Sequence, residues 1–457
     1  MPKLQVHAND DAEIFVIDGA LSLVRRAVGQ LDETLGNGLY KVKVDRAGAI
    51  REQIIELHGR GAQLHLCIDD FPAIAPIRPL LGTDRWPVEN VAKEALAAVR
   101  GPSMLFLCHW PASYGEAGAP FSDMRLFPWR ARKRATALRD QTVVCRTIGD
   151  RVWAAVAVEA DPGETTSTFV LEMPRGGQLS RQAVLMAKDW QSRVFIRLTP
   201  AAPIGSEGAV DRPPHRTEVS IQMANPESDV VYFDQYETIE VARVALEKGR
   251  AIFANHWLVN DLLWDKYHNP IAGLTGLHLF LDGKARWAAG DKTFDLDALT
   301  AGHGGPDAFV RTVIENLRVL LSAPAGGAEP ADLTALRLRA GQPPPGQTFV
   351  EAPPMFRASW EVLKENAARD GAVWIGRALW RSTGDAAGAG PYIAWPLRSR
   401  SIEDTFQEAA ERSKAFSKVW RDAGVDMDRE VLAKSSGLPL SIIPRRRRRK
   451  RAAVKQS

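Results

Sequence analysis

The chain has 457 residues, of which 45% are hydrophobic and 25% are charged. These fractions are ordinary for a folded globular protein and exclude a chain that is disordered throughout. The length favours about three domains, at roughly 150 residues each. Lys and Arg number 59 against 55 Asp and Glu, which gives a formal net charge of +4.

The positive charge is concentrated at the C-terminus. Residues 445–451 read RRRRRKR and Lys455 follows, so the last thirteen residues hold eight cations. The rest of the chain carries 51 cations against 55 anions, a net charge of −4. Only the tail therefore indicates a polyanionic partner.

The N-terminus and the cysteines predict a cytoplasmic protein without a membrane span. Residues 1–15 contain no positive segment followed by a long apolar run, as a secretory signal would. The longest strongly apolar stretches, such as residues 271–281, are shorter than the roughly 18 residues of a membrane-spanning helix. Cys67, Cys108 and Cys145 lack CxxC or CxxH spacing, which argues against a disulfide scaffold or a zinc site.

Alternating apolar residues predict β-strands over much of the first 200 residues. The first group of predicted strands lies at residues 13–18, 39–44, 50–57 and 64–68. A Gly-Asn-Gly segment precedes the second of these strands and is typical of a tight turn.

The same pattern returns further along the chain. Residues 40–44, 50–56 and 64–68 resemble residues 169–173, 179–185 and 194–198, at an offset of 129 or 130. This self-similarity predicts two copies of one β unit, each a small antiparallel β-sandwich. The alternative is that any two antiparallel meanders share such a pattern.

Helical periodicity replaces strand alternation after residue 236, and an α+β multidomain fold is predicted. Two small antiparallel β-sandwiches are followed by an α-helical domain and a mixed, mainly helical C-terminal region. The predicted divisions are a first β-sandwich unit at 1–75, a connector with a helix at 76–102, a second β-sandwich unit at 103–205, a linker at 206–236, a helical domain at 237–322, a Pro/Gly-rich linker at 323–355, a mainly helical region at 356–443 and a basic tail at 444–457.

Common catalytic motifs are missing from the sequence. GxxxxGK[ST], HExxH, GxSxG and a GxGxxG after a strand do not occur, and neither a metal nor a cofactor is predicted. The best candidates for acid–base chemistry are Asp265, His268 and His278, which lie near the helix start predicted at Asn269-Pro270. The alternative is that these side chains cap or pack a helix.

Gly273 and Gly276 lie three residues apart within that predicted helix. A glycine inside a helix costs about 1 kcal/mol relative to alanine. Close approach of another part of the backbone would account for both residues. The pair therefore predicts tight packing in a helical bundle.

The C-terminal region contains a segment that resembles a helix-turn-helix. Residues 430–443 read EVLAKSSGLPLSII and place small and apolar residues where such DNA readers have them. Pro444 falls within the recognition helix of that motif, where proline interrupts helical hydrogen bonding. The tail then either binds nucleic acid or another polyanion without sequence preference, or is a solvated terminus. The residues of the predicted polyanion site are Arg445, Arg446, Arg447, Arg448, Arg449, Lys450 and Arg451.

Several segments resemble a group of uncharacterised bacterial proteins. They are DGALSLVRRAVGQLDETLGNGLYKVKV, AKDWQSRVFIRL, YHNPIAGLTGLHLFL, ADLTALRLRAG and APPMFRASW, within residues 12–365. The β units also resemble the transthyretin-like or carboxypeptidase-regulatory-like sandwich, which is usually a non-catalytic accessory module. These resemblances imply β-sandwich units followed by a helical domain, and they imply no catalytic residues.

The sequence thus predicts a non-enzymatic scaffold, adaptor or regulatory partner in a bacterial multiprotein system, for which we expect a role in defence or conflict. Its predicted partner is another protein of the same system. One alternative is a nucleic-acid-associated protein that uses residues 430–443 and the arginine-rich tail. A second alternative is an unrecognised hydrolase that uses Asp265, His268 and His278.

Overall fold

The computed structural model describes residues 1–69, 71–77, 86–114, 121–129, 135–163, 166–175, 178–200, 215–228, 233–250, 256–291, 295–322, 329–342, 348–369, 373–376, 379 and 390–396. These residues form a mixed α+β structure with several antiparallel sheets and eight α-helices, which confirms the predicted α+β class at this level. The helix-turn-helix-like segment and the basic tail, residues 445–451 included, lie outside the described residues.

Two sheets make up the N-terminal β unit. Its strands are β1 (Lys3–His7), β2 (Glu13–Asp18), β3 (Leu23–Val28), β4 (Gln30–Thr34), β5 (Gly38–Arg46), β6 (Ala49–Leu57) and β7 (Ala62–His65). One sheet has the order β4-β1-β7 and the other the order β3-β2-β5-β6. Alternate apolar residues of both sheets, among them Leu4, Val16 and Val42, form one buried cluster, because alternate side chains of a strand point to the same face.

A helix separates this unit from the second β unit. After α1 (Trp86–Leu96) come β8 (Ser103–Pro111), β9 (Arg125–Pro128), β10 (Thr136–Ala137), β11 (Val143–Ile148), β12 (Arg151–Glu159), β13 (Ser167–Arg175), β14 (Gln178–Met186), β15 (Gln191–Pro200) and β16 (His215–Ala224). One sheet has the order β11-β12-β8-β15-β16, and the other begins with the order β10-β9-β13-β14. Helix α1 covers one side of the β11-β12-β8-β15-β16 sheet. Its residues Val91 and Ala95 pack there with Leu105 and Leu107.

The remaining elements are mainly helical. They are α2 (Phe233–Lys248), α3 (His256–Val259), a π-helical turn (Asn260–Trp264), α4 (Pro270–Ala288), α5 (Leu296–Thr300), α6 (Pro306–Leu320), α7 (Ala331–Arg339), β17 (Thr348–Val350), α8 (Arg357–Arg369), β18 (Val373–Ile375) and β19 (Ala394–Pro396). Strand β19 returns to the second β unit, where it pairs antiparallel with β14. The largest hydrophobic cluster joins the inner faces of the second unit to helices α2, α4 and α6.

Each strand of the first β unit has a counterpart in the second. The order β4-β1-β7 recurs as β12-β8-β15, and the order β3-β2-β5-β6 recurs as β10-β9-β13-β14. In both units the first strand pairs antiparallel with one neighbour and parallel with the other. The hairpin register is also the same, because Tyr40 lies opposite Ile55 and, 129 residues further on, Phe169 lies opposite Val184.

The second unit carries three strands that the first does not. Strand β11 lies beside β12, β16 lies beside β15, and β19 lies beside β14. The equivalent edge strands of the first unit are β4, β7 and β6, and none of them has a further strand beside it among the described residues.

Two intervals that the sequence predicts as linkers contain regular structure. Strand β16 lies within 206–236, while helix α7 and strand β17 lie within 323–355. Strand β16 looks polar in the sequence because it includes Ser220 and Gln222. Both side chains are buried and hydrogen-bonded to each other at 3.2 Å, which makes polar residues tolerable inside a sheet.

Helix α4 begins where the sequence predicts. Asn269 caps it by accepting the backbone N–H of Ile271 at 3.1 Å, and Pro270 occupies the first turn. A Cβ atom on Gly276 would lie 2.7 Å from the Cβ of Leu262 in the π-helical turn, and one on Gly273 would lie 3.0 Å from the Cβ of Lys266. The absence of side chains at these glycines therefore lets the preceding segment pack directly against α4.

Replacement of Gly276 by alanine is expected to destabilise the protein by roughly 1–3 kcal/mol, although alanine is the better helix former. The clash involves an atom bonded to the backbone of Leu262, which cannot rotate away. Chemical denaturation followed by circular dichroism measures the change. The control is Gly302→Ala, where an added Cβ meets nothing within 4 Å. Equal stability of the two variants would contradict the packing argument.

Candidate interaction surface and predicted site residues

The structure does not bring the two candidate acid–base histidines together. His268 is exposed just before α4 begins, whereas His278 is fully buried in the third turn of that helix. Asp265 lies in a short 3-10 turn, and its side chain is outside the described part of the chain. A shared site of the two histidines is thus not formed.

His278 joins a buried polar chain between three helices. Its Nε2 atom lies 2.8 Å from the Ser359 hydroxyl oxygen, and that hydroxyl donates to the Asp332 carboxylate. The same carboxylate accepts the backbone N–H groups of Met355 at 2.6 Å and Phe356 at 3.0 Å. None of the three polar side chains has exposed surface. These bonds connect α4, α7 and the start of α8.

The order of these groups does not suit nucleophilic catalysis. In a catalytic triad the histidine lies between the nucleophile and the carboxylate, whereas here the serine lies between the other two. Burial, together with the charge of Arg339, lowers the pKa of His278 to about 3, so the ring is neutral near pH 7. Burial also raises the pKa of Asp332 to about 6, against the opposing effect of its hydrogen bonds. The arrangement supports a structural connection within the helical region.

Ion pairs fix the N-terminal β unit on helix α2. Arg46 binds Asp11 at 2.8 Å and reaches Glu237 of α2 at 2.7 Å. Its Nη1 atom also donates to the backbone oxygen of Ile68 at 3.0 Å. Because both ends of this network are held by short contacts, the first unit has a defined orientation on the helical part.

A second group of ion pairs lies beside the first. Arg250 binds Asp45 at 2.7 Å and Glu13 at 3.0 Å, and both carboxylates are almost completely buried. Burial alone would raise the pKa of Asp45, but the hydrogen bond and charge of Arg250 hold it below its usual value. These carboxylates are therefore compensated by arginine charges.

Exposed apolar side chains cluster on the N-terminal β unit. They lie on the side of the β3-β2-β5-β6 sheet that points away from the core of this unit, including its β6 edge, or on the β2–β3 turn. We call this surface the outer face. Its members range from 54% exposed at Ile50 to 83% at Leu21. The full set is Leu21, Leu23, Leu39, Ile50 and Ile54. A grouped set of exposed apolar residues is typical of an interaction site.

The corresponding surface of the second β unit is covered by other parts of the chain. The strand register places Ile17, Lys41 and Ile54 side by side across the first sheet. The equivalent residues of the second sheet are Phe127, Val170 and Ala183, which also lie side by side. The second row is buried against Trp360 of α8 and Trp395 of β19. Ile54 is instead 67% exposed. The described residues thus cover this surface in the second β unit and leave Ile54 of the first unit uncovered.

Adjacent residues Ile54 and Ile55 carry a sequence signal for the outer face that pattern reading missed. Neighbouring residues of a strand point to opposite faces, so two consecutive isoleucines cannot both enter one core. Ile55 is half-buried and Ile54 is exposed. The polar chain of His278 has no local sequence signal, because Asp332 and Ser359 are 54 and 81 residues away from that histidine in the sequence.

Neither a metal-binding cluster nor a membrane-spanning helix is found among the described residues. No group of three His, Cys, Asp or Glu side chains among them is placed to hold a metal ion. Within the same part of the chain, no helix combines the length and apolar character needed to cross a membrane. Comparison with protein-family models gives no match, and comparison with curated proteins gives none. A proposal about function therefore rests on the geometry of the chain itself.

Proposed function

We propose that the protein is a non-enzymatic adaptor of a cytoplasmic bacterial multiprotein system, and that the outer face binds its partner protein. In this proposal the two β units are two copies of one β-sandwich. The second copy serves as the structural centre of the molecule, and the first presents its surface to another protein.

The observation that carries the proposal is the difference between the two copies. Ala183 of the second unit has no exposed surface, whereas the equivalent Ile54 of the first unit is 67% exposed. Transfer of apolar surface out of water stabilises an association by roughly 25 cal/mol per Å². A protein partner that covers the outer face would gain this free energy, as α8 and β19 do where they cover the second copy.

The ion pairs of the first unit support the same proposal. Arg46 and Arg250 hold one end of the unit against the helical part, on the side of Asp11, Glu13 and Asp45. Leu23, Leu39 and Ile54 lie towards the opposite ends of their strands and are exposed. The unit is thus attached through one region and free to bind through another.

Replacement of Ile54 by lysine is expected to reduce recovery of a specific co-purifying protein by about tenfold or more, because a buried charge opposes apolar contact. Full-length protein is purified under native conditions from its own bacterial host, and co-purifying proteins are quantified by mass spectrometry. The control is Val319→Lys on α6, where valine is 63% exposed and away from the outer face.

The Val319→Lys variant should still recover the co-purifying protein that the Ile54→Lys variant no longer recovers. Recovery of the chain alone would overturn the adaptor proposal. Equal loss from both variants would overturn the assignment to the outer face.

A further inference from the structure

We infer that the edge of β6 takes up an extended strand of the partner protein, which adds antiparallel to the sheet as β19 adds to β14. This inference deepens the proposed function and rests on it. It specifies how the partner binds and which side chains its strand presents.

The second β unit shows the mode of binding. Strand β14 pairs with β19 so that Ser180, Arg181 and Gln182 lie opposite Pro396, Trp395 and Ala394. At the common offset of 129 residues, the three β14 positions correspond to Arg51, Glu52 and Gln53 of β6. All three β6 residues are exposed, and no described strand pairs with this edge. Unpaired backbone groups at such an edge are a template for a further strand.

One side of the added strand has to be apolar. Trp395 and Ile393 pack in the cluster that buries Ala183, the residue equivalent to Ile54. Ile54 is 67% exposed and Ile50 is 54% exposed, on the same side of β6. A strand with apolar residues at alternate positions would cover both isoleucines, because alternate side chains share a face.

The other side of the added strand has to match a positive charge. Arg51 donates to the backbone oxygen of Cys67 at 3.1 Å, and its guanidinium has no carboxylate partner among the described residues. Glu52, by contrast, is already paired with Lys41 at 2.7 Å. Opposite charges on directly facing strand residues attract, so a carboxylate opposite Arg51 is favoured. The partner strand therefore presents apolar side chains on one side and, on the other, a carboxylate opposite Arg51.

A second copy of the chain fits this edge less well. Two β6 strands that extend a common sheet must pair symmetrically about one residue, so that both core faces remain on the same side. Symmetry about Arg51 places two arginines face to face, and symmetry about Glu52 places two glutamates face to face. Symmetry about Gln53 places Glu52 opposite Ile54, and symmetry about Ile54 places Glu52 opposite Glu56. None of these registers supplies a carboxylate opposite Arg51.

The test uses full-length protein and two synthetic peptides derived from β19. Both contain residues 390–397, one with Pro396→Glu and one with Pro396→Lys, so that the new charge lies opposite Arg51 in the inferred register. Binding is measured by fluorescence anisotropy. Hydrogen exchange with mass spectrometry then locates the protected amides.

We expect the Glu peptide to bind with a dissociation constant between about 10 μM and 1 mM, and to protect residues 49–57. The Lys peptide should bind about threefold to fivefold more weakly, and the variant Arg51→Glu should reverse this preference. The control variant Val319→Lys should bind both peptides as the unchanged protein does.

Three results would overturn strand addition: no protection of residues 49–57 at 1 mM peptide, equal binding of both peptides, or a preference that Arg51→Glu leaves unchanged. A concentration-dependent dimer that protects residues 49–57 from hydrogen exchange without peptide would assign the edge to a second copy and would also overturn it. If one of these results occurs while Ile54→Lys still removes the co-purifying protein, the adaptor function stands and only the strand mode fails.

Discussion

Replacement of Arg46 by alanine is expected to lower the free energy of unfolding by about 3–5 kcal/mol. The Arg46 side chain is 7% exposed, and it binds Asp11 at 2.8 Å and Glu237 at 2.7 Å. Without it, the Asp11 carboxylate, which is 2% exposed, stays buried and loses this charged partner. The loss is large because one half of a buried ion pair is left uncompensated, whatever the pair contributed when intact.

Urea denaturation at pH 7, followed by far-ultraviolet circular dichroism and tryptophan fluorescence, measures this loss. The control is Lys3→Ala, which removes a pair with Asp32 in which both side chains are about half exposed. Surface pairs of this kind contribute about 0–1 kcal/mol. A similar small change in both variants would show that the Arg46 network does not hold the buried charges together.

The Arg46 variant also tests how the first β unit is attached. Asp11 and Arg46 belong to that unit and Glu237 belongs to α2, so the network crosses between them. Loss of the crossing contact should separate the unfolding of the first unit from that of the rest, so that the two probes give different midpoints and the expected loss of free energy refers to the first transition. Because all 13 tryptophans lie outside the first unit, fluorescence should report the later transition.

The duplicated β pattern was predictable because strand alternation is a local signal. Tyr40, Val42 and Val44 face one core, and their counterparts 129 residues later face another. The pairing of β1 with β7 was not predictable in this way, since the two strands are parallel and Val6 lies opposite Leu64, far along the chain. Periodicity identifies strands, but it does not choose between distant partners.

The candidate site was less accessible from the sequence than the fold. Asp265, His268 and His278 lie close together in the sequence, but an exposed residue before α4 and a buried one within it cannot share a pocket. The groups that do meet His278 come from two other segments of the resemblance, ADLTALRLRAG and APPMFRASW. Their convergence depends on the packing of α7 and α8 against α4, which spacing alone does not specify.

Replacement of Asp332 by asparagine is expected to change how stability depends on pH. The pKa of the native carboxyl is raised from 3.8 to about 6 by burial, so ionisation of Asp332 lowers stability as pH rises through that interval. This contribution is fully present below about pH 3.8 and is lost above about pH 6. His278, whose pKa is lowered from 6.5 to about 3, acts in the opposite sense and loses stability as pH falls.

In the unchanged protein the two contributions largely offset each other between about pH 4 and pH 6. The asparagine variant keeps the His278 contribution and lacks that of Asp332. It should already be less stable at pH 7 by about 1–3 kcal/mol, because one of the N–H groups of Met355 and Phe356 loses its acceptor. The difference from the unchanged protein should then widen by on the order of 2–3 kcal/mol as pH falls from 7 to 4.

Urea denaturation at pH 7, 5.5 and 4 measures this widening, and other titrating groups cancel because they are common to both proteins. The control is Asp307→Asn, where hydrogen bonding and charge from Lys284 lower the pKa of an exposed carboxyl. A lowered pKa stabilises the native state only while the carboxyl is ionised, so this control should show a difference that shrinks as pH falls. A difference for Asp332→Asn that stays constant or shrinks would mean that burial does not raise the pKa of its carboxyl, and that the three helices are joined by a carboxylate that stays ionised down to pH 4.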